Sequence, residues 1–165
     1  MFKVGFGYDV HRFKDDGKDY AEIILCNIKI PHNKTIIAHS DGDVAIHALI
    51  DAILGAACIE NASDIGELFP DTDEKWKNQD SAYFLKYVLS LINENGYQIN
   101  NIDITIACEL PKISSYKNEM RKKLSSILNI ETSNINIKAT TTEKLGFEGR
   151  KEGISAYCVV SLIKI

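Results

Sequence analysis

Apolar and polar residues alternate at the start of the chain, where Phe2, Val4, Phe6 and Tyr8 are interleaved with Lys3, Gly5, Gly7 and Asp9. That two-residue period is the mark of a strand with one apolar face. A second strand is expected around residues 22–30. The alternation returns at Ile102, Ile104, Ile106 and Cys108 and again at Ile135, Ile137 and Ala139, and residues 155–165 read as a buried strand. Between the strands the period lengthens to that of a helix. Val44, Ala48, Ala52 and Ala56 share one face, and Phe84, Tyr87, Val88, Leu91 and Ile92 share another. The second of these helices should stop at Asn95-Gly96. A third should cover residues 115–128 with Tyr116, Met120, Leu124 and Ile127 inward. Strands at both ends with helices between them predict an α+β fold, a sheet of mixed strands covered on one face by helices.

With 165 residues, 45% of them hydrophobic, the chain can bury one core, and a single domain spanning 1–165 is expected. A net charge of −4 argues against a nucleic-acid surface, which needs clustered Lys and Arg, but leaves small anions open as ligands. The apolar runs are too short to span a bilayer and the first residues lack the layout of a signal peptide, so a soluble cytoplasmic protein is expected. Cys26, Cys58, Cys108 and Cys158 are widely spaced and read as small core residues, not as a disulfide framework or a zinc site.

Two residues apart at the end of the first strand, Asp9 and His11 leave the same side of the chain, with Cα atoms about 7 Å apart. His47 lies on the first predicted helix, with Asp43 and Asp51 as its i−4 and i+4 neighbours. Singly, His11 reads as a solvated loop residue and His47 as a hydrogen-bonded core histidine. Together with an acidic stripe on a helix that should pack inward, they read as ligands, because unpaired buried charge is costly and a metal would satisfy it. Asp, His and His leave a fourth tetrahedral position open, as in catalytic zinc sites, with Asp51 placed to orient the His47 ring. The same three ligand types also suit a non-haem iron oxygenase, or a metal that only holds a fold together.

Ser40-x-x-Asp43 is expected to cap the helix that carries His47, setting His39 and Ser40 at an N-terminus that favours phosphate. Thr140, Thr141, Thr142 and Glu143 end a strand before a Gly-rich turn. Hydroxyls and amides there suit phosphate oxygens, and Glu143 suits a hard divalent cation. The acidic stretch from Asp64 to Trp76 reads as a lid or a surface loop.

The segments GFGYDVHRF, AHSDGDVAIHALIDAILGAA, DIGELFPDTD, QDS and KATTTEKLGFEGR resemble, in order and from end to end, the 2-C-methyl-D-erythritol 2,4-cyclodiphosphate synthase family. The resemblance implies a homotrimer of α+β subunits with active sites at subunit interfaces. It also implies conversion of 4-diphosphocytidyl-2-C-methyl-D-erythritol 2-phosphate to the cyclic diphosphate and CMP, in the non-mevalonate isoprenoid pathway. Carried over by motif, Asp9, His11 and His47 correspond to zinc ligands and Glu143 to a magnesium or manganese ligand. His39 and Ser40 would contact substrate phosphate, with Asp9, Val10 and His11 beside it, and His39 and Thr141 would stabilise the transition state. Asp64, Ile65 and Gly66 would meet the ribose side, and Phe69, Pro70, Asp71, Thr72 and Asp73 would begin a flexible loop over the methylerythritol. The cytosine pocket would be built by Cys108, Glu109, Leu110, Pro111, Lys112, Ile113 and Ser114 and by Ala139, Thr140 and Thr141 from a neighbouring subunit, with Thr142 and Glu143 following. Phe147 and Arg150 would line the central trimer cavity. Removal of a targeting segment would make a plastid the alternative location. Departures stand out as well: Cys26-Asn27 replaces a Gly-Gly pair, the loop around Asp15 to Tyr20 is longer than in compact bacterial members, and Ile113-Ser114-Ser115 replaces a bulkier apolar run in the base pocket.

Overall fold

The computed structural model describes residues 1–165 except Lys18, Asp71 and Asn78. In chain order its elements are β1 (Phe2–Lys14), β2 (Ala21–Leu25), β3 (Ile28–His32), β4 (Thr35–Ile37), α1 (Val44–Ala57), α2 (Ile65–Leu68) and α3 (Ser81–Glu94). There follow β5 (Tyr97–Ala107), α4 (Lys117–Leu128), β6 (Ile135–Thr140), α5 (Gly146–Gly149) and β7 (Gly153–Lys164). Five strands form one sheet in the order β4-β1-β7-β5-β6. All its pairings are antiparallel except β5 with β6, which is parallel and spanned by α4. The α+β expectation therefore holds, with α1, α3 and α4 packed on one side of the mixed sheet.

The alternation in β1 is real, but its apolar side chains face away from the helices. Phe2 is 71% exposed and Phe6 62%, while Gly5 and Gly7 occupy the helix side. A Cβ on Gly5 would lie 1.9 Å from the Ala52 carbonyl oxygen, and one on Gly7 would lie 1.9 Å from that of Ala48. The alanine row of α1 thus rests on a strip of strand with no side chains, and α1 is buried along almost its whole length. Ile102, Ile104 and Ile106 of β5 and Ala156, Cys158 and Val160 of β7 complete the inner face.

The single strand expected over residues 22–30 is two. β2 and β3 form a separate hairpin, turning at Cys26 and Asn27, whose φ values are 51° and 59°. Two consecutive left-handed residues make the tight turn that follows strand twist, a position suited to Gly or Asn. Helix α3 ends at Asn95 followed by Gly96 at φ 77°, as its sequence predicts. Met120 and Leu124 of α4 point inward as expected, joined by Leu128, while Tyr116 and Ile127 are only partly covered. Among the described residues no helix is long and apolar enough to cross a membrane.

Candidate metal centre

Backbone contact between β1 and α1 brings the three ligand candidates together. Asp9 and His11 follow Gly7 on the helix side of β1, and His47 precedes Ala48, whose carbonyl Gly7 touches. Asp9 Oδ2 lies 3.1 Å from His47 Nδ1 and 3.2 Å from His11 Nε2, and the two ring nitrogens are 3.2 Å apart. Among the described residues this is the group of metal-type ligands whose atoms converge, all within 4.8 Å of one another. A tetrahedral zinc with bonds of about 2.1 Å keeps its ligands about 3.4 Å apart. One carboxylate oxygen and two imidazole nitrogens at these separations therefore fit such an ion with shifts of a few tenths of an ångström.

Burial pushes the Asp9 carboxyl up, but hydrogen bonds and charge from His11 and His47 outweigh it and hold it well below the usual carboxylate range. For His47 burial acts downward, and the Asp9 hydrogen bond with the charges of Asp9, Asp43 and Asp41 raises it above its ordinary value. The acidic stripe on α1 is divided in its duties. Asp43 is fully buried, and its oxygens accept from the amides of Cys26, Asn27 and Ile46 at 3.0, 2.7 and 3.0 Å. It is the N-cap of α1 and ties that helix to the hairpin turn; burial raises its carboxyl to about 6 against the pull of the Asn27 and Ile46 amides. Ser40 therefore does not cap the helix, and the amide of Ile46 is already occupied, so the phosphate seat expected at this N-terminus is reduced. Asp51 does not orient His47. Its oxygen accepts the Ile65 amide at 2.8 Å, fixing the start of α2, and burial raises its carboxyl above the ordinary value.

The other nitrogen of His47 is held by Ser40 and by Ser81, the second of which sequence reasoning missed. His47 Nε2 lies 2.9 Å from Ser81 Oγ and 3.2 Å from Ser40 Oγ. Ser81 is fully buried at the first turn of α3 and bonds in turn to Asp41. The QDS segment, residues 79–81, entered the sequence reading only as part of the family resemblance, with no role given to Ser81.

Above the three ligands opens a cavity of about 190 Å³, lined also by His39, Ser40, Ile65, Gly66 and Phe69. His39 Nε2 is buried and, among the described residues, without a hydrogen-bond partner, an orphan polar atom at the cavity where an anionic ligand is expected. Val10 does not share this space. Alternation along β1 sends its side chain to the exposed outer face. Asp64 caps α2 through the Glu67 amide at 2.8 Å. Phe69, where the flexible loop is expected to begin, is itself buried, 4.3 Å from the Phe84 ring and 5.2 Å from Trp76. The loop expected over the substrate thus leaves from a fixed point. Pro70, Thr72 and Asp73 are exposed, and Asp71 lies outside the described residues.

A second recess, of about 120 Å³, is lined by Cys108, Pro111, Lys112, Ile113, Ser114, Ala139, Thr140 and Thr141. Both segments expected to form a base pocket meet here within one chain, joined by the Cys108 amide donating to the Thr140 carbonyl at 3.1 Å. Glu109 and Leu110 are at its rim, with Glu109 accepting the Lys144 amide at 3.2 Å. The three threonine hydroxyls, expected to meet phosphate, close on their own loop: Thr140 donates to the Thr141 carbonyl, Thr141 to Glu143 and Thr142 to the Leu145 carbonyl. Glu143 is exposed at φ 53° and stands outside the converged group. Phe147 packs beside Gly153. Arg150 is exposed and pairs with Glu152 through two bonds of 3.0 and 3.1 Å.

A family model described as the YgbB family matches residues 2–163. The chain is 53% identical to the 2-C-methyl-D-erythritol 2,4-cyclodiphosphate synthase of Ehrlichia canis (strain Jake), over 96% of this chain and 91% of that one. Among solved structures it resembles the bifunctional IspDF of Campylobacter jejuni, with a TM-score of 0.92 and 42% identity over all of this chain, which spans only 43% of that longer protein. It also resembles a CDP complex of IspF from Plasmodium falciparum, with a TM-score of 0.83 and 38% identity over 99% of this chain and 96% of that one. Taken with the fold and the converged ligands, these likenesses show that the chain belongs to the YgbB family, the family of the 2-C-methyl-D-erythritol 2,4-cyclodiphosphate synthases.

Proposed function

We propose that residues 1–165 form one cyclodiphosphate synthase domain. It converts 4-diphosphocytidyl-2-C-methyl-D-erythritol 2-phosphate to 2-C-methyl-D-erythritol 2,4-cyclodiphosphate and CMP, in the non-mevalonate isoprenoid pathway. The observation that carries this reading is the convergence of Asp9, His11 and His47 within 4.8 Å, beside a cavity that also holds His39 and Ser40. Family membership favours this reading over an iron oxygenase or a purely structural metal.

Asp9, His11 and His47 would hold zinc, and Glu143 would hold magnesium or manganese on the diphosphate. Bound divalent cations supply stabilisation of charge on the transferring phosphoryl group. In the reaction an oxygen of the substrate's 2-phosphate forms a bond to the β-phosphorus, the bond from that phosphorus to the CMP oxygen breaks, and CMP leaves. No protein nucleophile takes part. The chain's own work is to fold a flexible substrate until attacking and leaving oxygens are in line. His39 and Ser40 receive phosphate, and the unpartnered His39 Nε2 is suited to that contact. His39 with Thr141 steadies the charge that develops. Asp64, Ile65 and Gly66 flank the ribose, Phe69, Pro70 and residues 71–73 cover the methylerythritol, and the second recess takes the cytosine.

The enzyme works as a homotrimer with sites at subunit interfaces. Supporting this is the outer face of the sheet, where Phe2, Val4, Phe6, Tyr8 and Val10 of β1 meet Tyr157 and Val159 of β7, all exposed. Phe6 is paired with Val159 and Tyr8 with Tyr157, so the patch is contiguous, and such patches mark association surfaces. Phe147 and Arg150 would line the central cavity. Incubating the purified protein with the diphosphocytidyl substrate and divalent metal should release CMP with formation of the cyclic diphosphate. Absence of CMP with both metals supplied would sink the assignment.

A further inference from the structure

An imidazole can bind a metal through Nδ1 only if its proton sits on Nε2, and the group that accepts that proton decides the tautomer. His47 meets the ligand cluster through Nδ1, 3.1 Å from Asp9 Oδ2. Its Nε2 faces Ser81 Oγ at 2.9 Å. A hydroxyl has one proton and two lone pairs, so it can serve His47 as donor or as acceptor until something else claims its proton. Asp41 makes that claim. Its Oδ1 accepts the Ser81 hydroxyl and the Asp43 amide, the latter at 3.2 Å, and its Oδ2 accepts the Ser81 amide at 2.9 Å. With its proton given to a carboxylate, Ser81 can only offer His47 a lone pair. Ser40 Oγ, 3.2 Å from the same nitrogen, accepts the Gly42 amide at 3.3 Å, but no acceptor fixes the direction of its own proton.

We infer that Ser81 and Asp41 are positioning residues, a hydroxyl–carboxylate relay that sets His47 in the Nε2–H tautomer and aims its Nδ1 lone pair at the metal. Local structure makes the relay rigid. Asp80 takes the N-cap position of α3, accepting the Ala82 amide at 2.8 Å, so Ser81 is released from capping and turns inward, fully buried. Asp41 lies two residues before Asp43, which is anchored to the hairpin turn. Three elements, α1, α3 and the segment before α1, are thereby joined at a single imidazole.

The inference rests on the zinc reading, and the test separates the two. Histidine-labelled protein is examined by 15N NMR at a pH where His47 is neutral, and zinc affinity is measured by competition with a chelator. In metal-free protein the Asp9 carboxylate, 3.1 Å from Nδ1, competes for the same proton, so the share of neutral His47 protonated on Nε2 should be measurably higher in wild-type protein than in Ser81→Ala, where only Ser40 remains to act as donor or acceptor. Ser81→Ala and Asp41→Asn should each weaken zinc binding by about 10–100-fold while remaining folded by circular dichroism. Ser81→Thr, which keeps the hydroxyl, should retain the tautomer and most of the affinity. An unchanged His47 tautomer together with unchanged zinc affinity in Ser81→Ala overturns the relay. Zinc failing to bind wild-type protein whose His47 carries the Nε2 proton overturns the metal assignment and supports the relay's effect on the ring.

Discussion

The two recesses of this chain are built on opposite terms. Around Asp9, His11 and His47, polar groups are covered, drawn from β1 and α1, and tied onward to further partners such as Ser81 and Asp41. In the recess of residues 108–114 and 139–141, the threonine hydroxyls bond back to their own loop and Glu143 stands in solvent. The first site is organised before any ligand arrives. The second offers shape and backbone, and under the proposed function its charged residue would gain a role only when a phosphate and a cation are brought to it. A point cation with short bonds demands the first kind of construction, and a nucleotide base tolerates the second.

The sharpest way to break this contrast is to remove one ligand from the organised site. His47→Ala should leave a folded protein and lower CMP release by about 10³-fold, since a metal contributes several kcal/mol to charge stabilisation; full activity in that variant would refute the assignment. Glu143→Ala tests the open site. It should spare zinc content, as read by metal analysis, yet raise the magnesium or manganese needed for half-maximal rate by about 10–100-fold. Loss of zinc in that variant would mean that the two regions are not separable.

The smallest expected effect is one of pH. His47 titrates above its ordinary 6.5 because Asp9, Asp43 and Asp41 outweigh burial. In metal-free protein a raised histidine contributes stability that is fully present below the ordinary value and fades as pH climbs through the raised one. Zinc competes with that proton for Nδ1, so its apparent affinity should fall by about tenfold per pH unit below the raised value. The rise in melting temperature on adding zinc should therefore shrink as pH falls below the raised value. A rise that stays constant over that fall would place the ion elsewhere.

Much of the metal centre could be read in the sequence because its signals are local. Asp9 and His11 are separated by one strand period, and His47 stands out as a polar residue on an apolar helix. What lay beyond reach is set by distance along the chain. Ser81, at the start of α3, is indistinguishable from an ordinary cap-adjacent serine until the helix packs against α1. The roles of Asp43 and Asp51 were mistaken for the same reason: helical spacing puts both near His47, but the amides of Cys26, Asn27 and Ile65 that claim them come from other elements. The period of β1 was plain and its orientation was not, because alternation reveals two faces without saying which one meets a helix. The hairpin at Cys26-Asn27 escaped notice for want of glycine.

The bare strip of β1 would set the gauge of any ion held by Asp9, His11 and His47. Where Gly7 meets the carbonyl of Ala48, main chain touches main chain, and the gap between the carriers of Asp9 and His47 cannot be widened by a rotamer or closed by repacking. The spacing offered to an ion would thus be stored in atoms that never contact it, and a single methyl group added there would spoil it.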